Sequence, residues 1–462
     1  MTAQASRTSA PAAATTTPRE VEAVIGAAEQ ASRGWRRTSP GERAAALRAA
    51  AADIRDDADE LGEQLCATTG RLLREAVASA RVAADLLEEA SVLGLGAQGR
   101  TLAGSPGSAD WTRSDPYGVV AVLTPWNDPF PAAAGLLAAA LVTGNTVVHK
   151  PSERSLEPGL ALARLLQRHL PEGVLGLVAG DGGVGERVVR DERVRLVAHV
   201  GSSATGAEIA AVCGARGAKA LLENGGKDPF VVDSGVDPRW AAQQAAVGAF
   251  TNAGQLCTAV ERVYVHRSLA EPFLDELVRL AGELRGGDPR LDATTMCRLV
   301  DGRQHAVVRE HVEDALERGA RCLTGGVPDP GADSDSLWFP PTVLTGCDAQ
   351  MLVMSEETFG PVAPVVVVDS WAQGLEQAAS GAYGLAATVL TADSRHALEA
   401  VEELDVGTVK VNAVFGGAPG GSADPRRASG HGCGYGPGLF SELVLTKAVH
   451  WEPPPGSADA AG

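Results

Sequence analysis

The sequence has no Cys-x-x-Cys pair, no excess of basic residues, no run of like charge and no apolar stretch long enough to span a bilayer. Each absence removes a class of function. Seven cysteines (Cys66, Cys213, Cys257, Cys297, Cys322, Cys347 and Cys433) are odd in number and scattered. That argues against a disulfide framework or a structural zinc site, and for a reducing compartment. Acidic residues outnumber basic ones, 58 to 40, for a net charge of -18. Nucleic-acid binding leans on Lys and Arg clusters that neutralise phosphate, so no nucleic-acid partner is expected. The most apolar window, 132–142, is too short for a membrane. The opening MTAQASRTSAPAAATTTP has one Arg and no apolar core of a secretory signal. A cytoplasmic chain without a membrane partner is the expectation.

Lysine is scarce as well: five residues against 35 arginines. Two of them, Lys150 in HKPSE and Lys227 in NGGKDP, sit in turns. An ammonium point charge and a guanidinium fork are not interchangeable at a tight contact. Lysine retained there points to such a contact, the alternative being drift at a solvated turn.

What is present is an alternating α/β texture. Ser39-Pro40-Gly41-Glu42 reads as a capping box with Pro at N1, opening a helix, and a second helical stretch lies near 72–92. A Gly/Ser/Pro-rich passage then separates this block from GVVAVLTP at 118–125. From there short apolar runs and helical segments alternate: a helix over 131–142, NTVVHKP, a helix over 156–169, GVLGLVAG, VRLVAHVG and a helix from 205. The rhythm repeats after 229 with DPFVVD, a helix over 238–252, ERVYVHR and a helix over 268–284. Strand, helix, strand at this spacing predicts parallel sheets in two α/β domains.

Gly180-Asp181-Gly182-Gly183-Val184-Gly185 matches G-x-G-x-x-G but lacks the acid expected at the end of the next strand, which stops at Val200. The loop Gly201-Ser202-Ser203-Ala204-Thr205-Gly206 also joins a strand to a helix, where backbone N–H groups suit a phosphate. It is the better cofactor contact of the two, with a plain strand-to-helix turn as the alternative.

Cys257 lies in NAGQLCTAVER, between a turn and a β-branched run. Free cysteines usually behave as small buried hydrophobes, so this one needs further support to be read as reactive.

That support comes from eight segments in order: PWNDPFP (125–131), GNTVVHKPSE (144–153), LPEGVLGLV (170–178), GSSATG (201–206), LLENGGKDP (221–229), NAGQLCTAVERVYV (252–265), EETFGPV (356–362) and YGLAATVLT (383–391). Together they resemble the successive signatures of the aldehyde dehydrogenase superfamily, over residues 20 to 450. Glu223 precedes Cys257 by 34 residues, the family's separation of general base from nucleophile. The resemblance implies oxidation of an aldehyde to an acid through a thiohemiacetal and a thioester on Cys257. Asn127 and the Cys257 backbone N–H would stabilise the oxyanion, and Glu223 would activate water. Lys150, Ser152, Glu153, Gly182, Gly201, Ser202, Glu357, Phe359 and Trp126 would bind the cofactor. A carboxylate at Glu153 suits a free 2′-hydroxyl, so NAD is expected, with NADP possible.

The implied architecture is a Rossmann-type NAD(P)-binding domain over 19–97 and 118–224, an α/β catalytic domain over 225–437, and an oligomerisation arm from 98–117 and 438–452. A disordered arm (1–18) and a flexible tail (453–462) would flank them, in a homodimer or homotetramer. Asp128, Leu256 and Thr258 would shape the substrate pocket, with Asp128 favouring a polar or cationic aldehyde. Departures from the family pattern are Asn224, Ala204, His199, Asp128 and the segment 416–438, within which Ser429-Gly430-His431-Gly432 keeps a family turn. His431 and Cys433 lack further nearby ligands in the sequence, so no metal is expected. A CoA-acylating relative and a non-catalytic structural relative are the alternative readings.

Overall fold

The computed structural model describes residues 15–96, 99–328, 337–416 and 421–452. Most of the expected N-terminal arm, the expected tail and positions 417–420 of the unusual segment lie outside them. The described residues begin ahead of the anticipated boundary at 18. Thr16 exchanges hydrogen bonds with the backbone of Ala179, both 2.8 Å, and Thr17 forms a capping box with Glu20 that opens the helix Pro18–Trp35. That helix lies ahead of the first one the sequence pattern indicates. The next, Pro40–Asp56, starts at the capping box read from the sequence, with Ser39 as its cap.

Two large sheets carry the molecule. The first has six strands in the order Gly430–His431, Lys219–Glu223, Val194–Val200, Val119–Thr124, Thr146–Pro151, Leu175–Leu177. All pair in parallel except Gly430–His431, which runs antiparallel to Lys219–Glu223. Val119–Thr124 and Thr146–Pro151 are buried along their whole length, as near-continuous apolar strands of a sheet covered on both faces should be. The chain starts in the middle of this sheet, runs outward to Leu175–Leu177, then returns to the other side of Val119–Thr124. That reversal opens a crevice beyond the carboxyl ends of Val119–Thr124 and Val194–Val200, where open α/β sheets bind ligands.

The second sheet has seven strands in the order Arg321–Thr324, Thr342–Thr345, Val362–Val368, Val260–His266, Asp228–Val232, Ala386–Leu390, Thr408–Val411. Lys219–Glu223 runs on through four residues into Asp228–Val232. The carboxyl end of one sheet therefore faces the amino end of the other. A third, smaller sheet joins Thr101–Leu102, Ala109–Pro116 and Val444–Trp451 in antiparallel pairing. Just before it, the helix Gly436–Glu442 turns Leu439 and Phe440 into the core beneath the first sheet. Among the described residues, no helix is long and apolar enough to cross a membrane.

Candidate active site

A cavity of about 1160 Å³ occupies the junction of the two sheets. Its wall includes Trp126, Asn127, Asp128, Lys150, Ser152 and Glu153, placed at or just past the carboxyl ends of neighbouring parallel strands. Gly182, Gly201, Ser202, Glu223, Cys257, Glu357 and Phe359 complete the set anticipated from sequence. Both glycine-bearing loops thus contribute. Leu256 and Thr258 do not line this cavity; they flank the sulfur, half-buried.

Cys257 follows a distorted turn. Asn252, Ala253 and Gly254 have φ of 50°, 55° and 71°, a left-handed run that costs roughly 1–2 kcal/mol for each residue with a Cβ. Packing holds it there: a Cβ on Gly254 would lie 2.1 Å from the Gly360 carbonyl oxygen. Hydrogen bonds complete the clamp. Asn252 Nδ2 and Asn127 Nδ2 both donate to the Gln255 carbonyl, each at 3.1 Å, while Gln255 Oε1 accepts from Val300 N–H at 3.0 Å. Asn127 is therefore tied to the turn that carries the sulfur. Gln255 is the residue that sequence reading missed here, and only its proximity to Cys257 marked it.

Cys257 is exposed and lines the cavity, with protein packed around it. Burial pushes the thiol up to about 12, and Asp228, Glu223, Glu357 and Asp128 add to the effect because each carboxylate opposes a thiolate. Glu223 itself is raised to about 8 by burial, partly offset by the Gly434 N–H that its Oε1 accepts at 2.9 Å. A Cβ at 434 would fall 2.2 Å from Glu223 Cγ, so that position has room only for glycine while the carboxylate stays put. Gly434 belongs to the unusual 416–438 segment. Its neighbours bind the same strand end: Gly430 pairs with Glu223, and Asn224 N–H donates to the Ser429 carbonyl at 2.9 Å.

The loop bearing Glu357 and Phe359 rests on a buried ion pair. Lys227 Nζ lies 2.6 Å from Glu261 Oε2 and donates to Thr358 Oγ1 at 2.9 Å. Glu261 also accepts the N–H groups of Thr358 and Phe359, at 2.7 and 2.8 Å. These bonds keep Phe359 at φ 51°, edge-on to Trp126 with centroids 5.5 Å apart. Glu357 Oε1 accepts Gly226 N–H at 3.1 Å, and burial raises its pKa to about 8. Lys227, one of the five lysines, thus makes the tight contact its scarcity suggested. Glu261 had no sequence signal beyond its place after Cys257.

The crevice suits a dinucleotide. Lys150 Nζ approaches Glu153 Oε2 at 3.7 Å and donates to the Pro151 carbonyl. Ser202 caps the helix Ser203–Arg216, taking Thr205 N–H at 3.3 Å, while Ser203 Oγ is buried without a partner among the described residues. Gly182 opens the helix Gly182–Arg190, with nothing within 4 Å of where its Cβ would stand. Space, helix N-termini, an ammonium and an acid for a ribose are therefore together.

Asp128 is not a free anion. Arg71 Nη1 lies 2.6 Å from its Oδ1, which also accepts Ser79 Oγ. The electrostatic ground for expecting a cationic aldehyde is thereby removed, while the polar character of the wall stays. Contrary to the sequence reading, Cys433 has ligand-type neighbours, Asp424 and Glu442, within 4.8 Å; its Sγ lies 2.7 Å from Asp424 Oδ1, Glu442 is paired with Lys219, and His431 takes no part in that cluster.

Comparisons with known proteins bear on the family and the fold. The model of the aldehyde dehydrogenase family matches residues 3–449. A 3,6-anhydro-alpha-L-galactose dehydrogenase of Streptomyces coelicolor is 35% identical over 433 residues, covering 93% of this chain and 88% of that one. Betaine aldehyde dehydrogenase of Staphylococcus aureus, solved in complex with NAD+, superimposes with a TM-score of 0.92 at 27% identity, covering 97% of this chain and 90% of the other. An NADP-dependent enzyme of E. coli gives a TM-score of 0.90 at 31% identity, covering 94% and 90%. By sequence, fold and site, the chain belongs to the aldehyde dehydrogenase family and is an NAD(P)-dependent oxidoreductase that converts an aldehyde to an acid.

Proposed function

We propose that Cys257 is the nucleophile, Glu223 the general base, and Asn127 with the Cys257 backbone N–H the oxyanion donors. The observation that carries this is the meeting of thiol, amide and raised carboxylate in the wall of one cavity. As sulfur bonds to the aldehyde carbon, the thiol proton passes to the carbonyl oxygen, forming a thiohemiacetal. Each oxyanion donor is worth about 3 kcal/mol to that step. A bound oxidised nicotinamide supplies the hydride acceptor. Once hydride has left the former aldehyde carbon and a proton its hydroxyl oxygen, a thioester would remain on Cys257. Glu223 then takes a proton from water as the oxygen adds to the thioester carbon, and the carbon–sulfur bond breaks to release the acid.

Lys150, Ser152, Glu153, Gly182, Gly201 and Ser202 hold the adenosine and pyrophosphate end of the cofactor, and Trp126, Glu357 and Phe359 the nicotinamide end. Glu153 sets NAD ahead of NADP. Leu256 and Thr258 act by seating the sulfur. The proposed domains are 19–97 with 118–224 for the cofactor, 225–437 for catalysis, and 98–117 with 438–452 for assembly into a homodimer or homotetramer, with the strand Gly430–His431 reaching back from the catalytic part to the first sheet. Seven cysteines, none paired, support a cytoplasmic setting.

Reduced-cofactor absorbance across an aldehyde panel, with NAD and with NADP, tests the assignment. Cys257→Ser is expected to lose at least ~10³-fold in kcat. Glu223→Gln keeps a burst of reduced cofactor and then turns over ~10²–10⁴-fold more slowly. An active Cys257→Ser protein would sink the assignment, and an acyl-CoA product on adding coenzyme A would replace hydrolysis by thiol transfer.

A further inference from the structure

Asp128 stands in the cavity wall beside Asn127, and its carboxylate contributes to the field on the Cys257 sulfur. About a third of its side chain is exposed, 32%, against 10% for Arg71 behind it. Both bonds it receives, from Arg71 Nη1 and Ser79 Oγ, fall on Oδ1. Its Oδ2 takes no bond from the described residues. Arg71 is fixed in turn: Nη1 donates to the Asn127 carbonyl at 3.3 Å, and Glu75 lies 3.9 Å from its Nε. Ser79 is 5% exposed, on the helix Leu73–Leu93. A carboxylate held on one oxygen by two buried donors presents the other as a fixed acceptor at the cavity surface.

The surroundings narrow what that acceptor meets. A carboxylate on the aldehyde would set acceptor against acceptor at Asp128 Oδ2, so an acidic aldehyde is disfavoured there. A quaternary ammonium is best held by open aromatic faces. The cavity's aromatic side chains among the described residues are Trp126 and Phe359. They pack on each other, with the Arg154 guanidinium 5.2 Å over the Trp126 ring. A neutral donor remains.

We propose that Asp128 Oδ2 accepts a hydrogen bond from a substrate hydroxyl, making this chain selective for neutral hydroxyaldehydes, with Arg71 and Ser79 as positioning residues. The inference rests on the aldehyde oxidation at Cys257 proposed above. A hydroxyl bonded to a charged acceptor discriminates by about 10- to 100-fold against its deoxy analogue.

The test compares kcat/KM for glyceraldehyde, propanal, betaine aldehyde and succinic semialdehyde on the purified full chain with NAD. Glyceraldehyde is expected to exceed propanal by that factor, and Asp128→Ala to bring their ratio close to one. The ratio is read because a general fall in activity leaves it unmoved. Arg71→Gln leaves Asp128 unbalanced and is expected to raise betaine aldehyde relative to glyceraldehyde, a shift that simple loosening of the fold would not produce. Ser79→Ala, a smaller change, is expected to lower the glyceraldehyde preference in part. A wild-type ratio near one, a ratio retained in Asp128→Ala, or a wild-type preference for either charged aldehyde overturns the proposal. Folded protein that oxidises none of the four in a cysteine-dependent way overturns the underlying reading of Cys257 as well.

Discussion

At neutral pH both Cys257 and Glu223 sit below their raised pKa values, about 12 and about 8, so each carries its proton. The physical cause is shared: burial, with carboxylates adding to the cost of a thiolate. Glu223 works as a base only when deprotonated, so thioester hydrolysis should rise with pH and level off above about 8. A single-turnover pH profile checks this, and Glu223→Gln should flatten the limb. For the thiol, iodoacetamide alkylation of Cys257 without cofactor should be slow at neutral pH and still climbing past ~8.5, the value of an unperturbed thiol. A plateau near neutrality would show that the carboxylates do not control the sulfur.

Between the sheets, the elements that matter are loops held by buried polar bonds. The stretch 252–254 stays in its left-handed conformation because Asn252, Gln255 and Asn127 bond across the turn. The loop 357–359 stays because Glu261 bonds two successive N–H groups and neutralises Lys227. Glu261→Gln removes the charge and leaves Lys227 buried and unpaired, a change that costs about 3–5 kcal/mol. Denaturant unfolding should report that loss, and the KM for NAD should rise more than the KM for the aldehyde, since the loop carries the cofactor-side residues. Adding Lys227→Met should recover part of the stability. A fully additive double mutant would mean that the two side chains do not act as a pair.

For the whole molecule, the third sheet ends in Val444–Trp451, an edge strand with Trp451 64% and Leu445 39% exposed. An exposed edge bearing apolar side chains is a template for pairing with another chain. Light scattering should show an oligomer for the full chain, and Leu445→Lys with Trp451→Lys should shift it toward the monomer with the cofactor site intact. A monomeric wild type would remove the arm from the proposed assembly.

Elements whose signal is local were legible in the sequence. The capping box at Ser39, the buried strands Val119–Thr124 and Thr146–Pro151, and the helix Leu73–Leu93 follow from neighbours a few residues apart. Cys257, Glu223 and Asn127 were legible through ordered motifs. The supports of that site were not, because each joins residues remote in the chain: Gly434 to Glu223, Arg71 to Asp128, Glu261 to Lys227 and to residues 358 and 359. The sequence by itself determined where many of the strands and helices lie, since periodicity and caps are short-range, and which residues were candidates for the chemistry. Only the tertiary structure decided how those groups are charged and aimed. Burial and a partner's charge set a pKa and the free face of a carboxylate, and both depend on contacts that exist only once the two sheets meet.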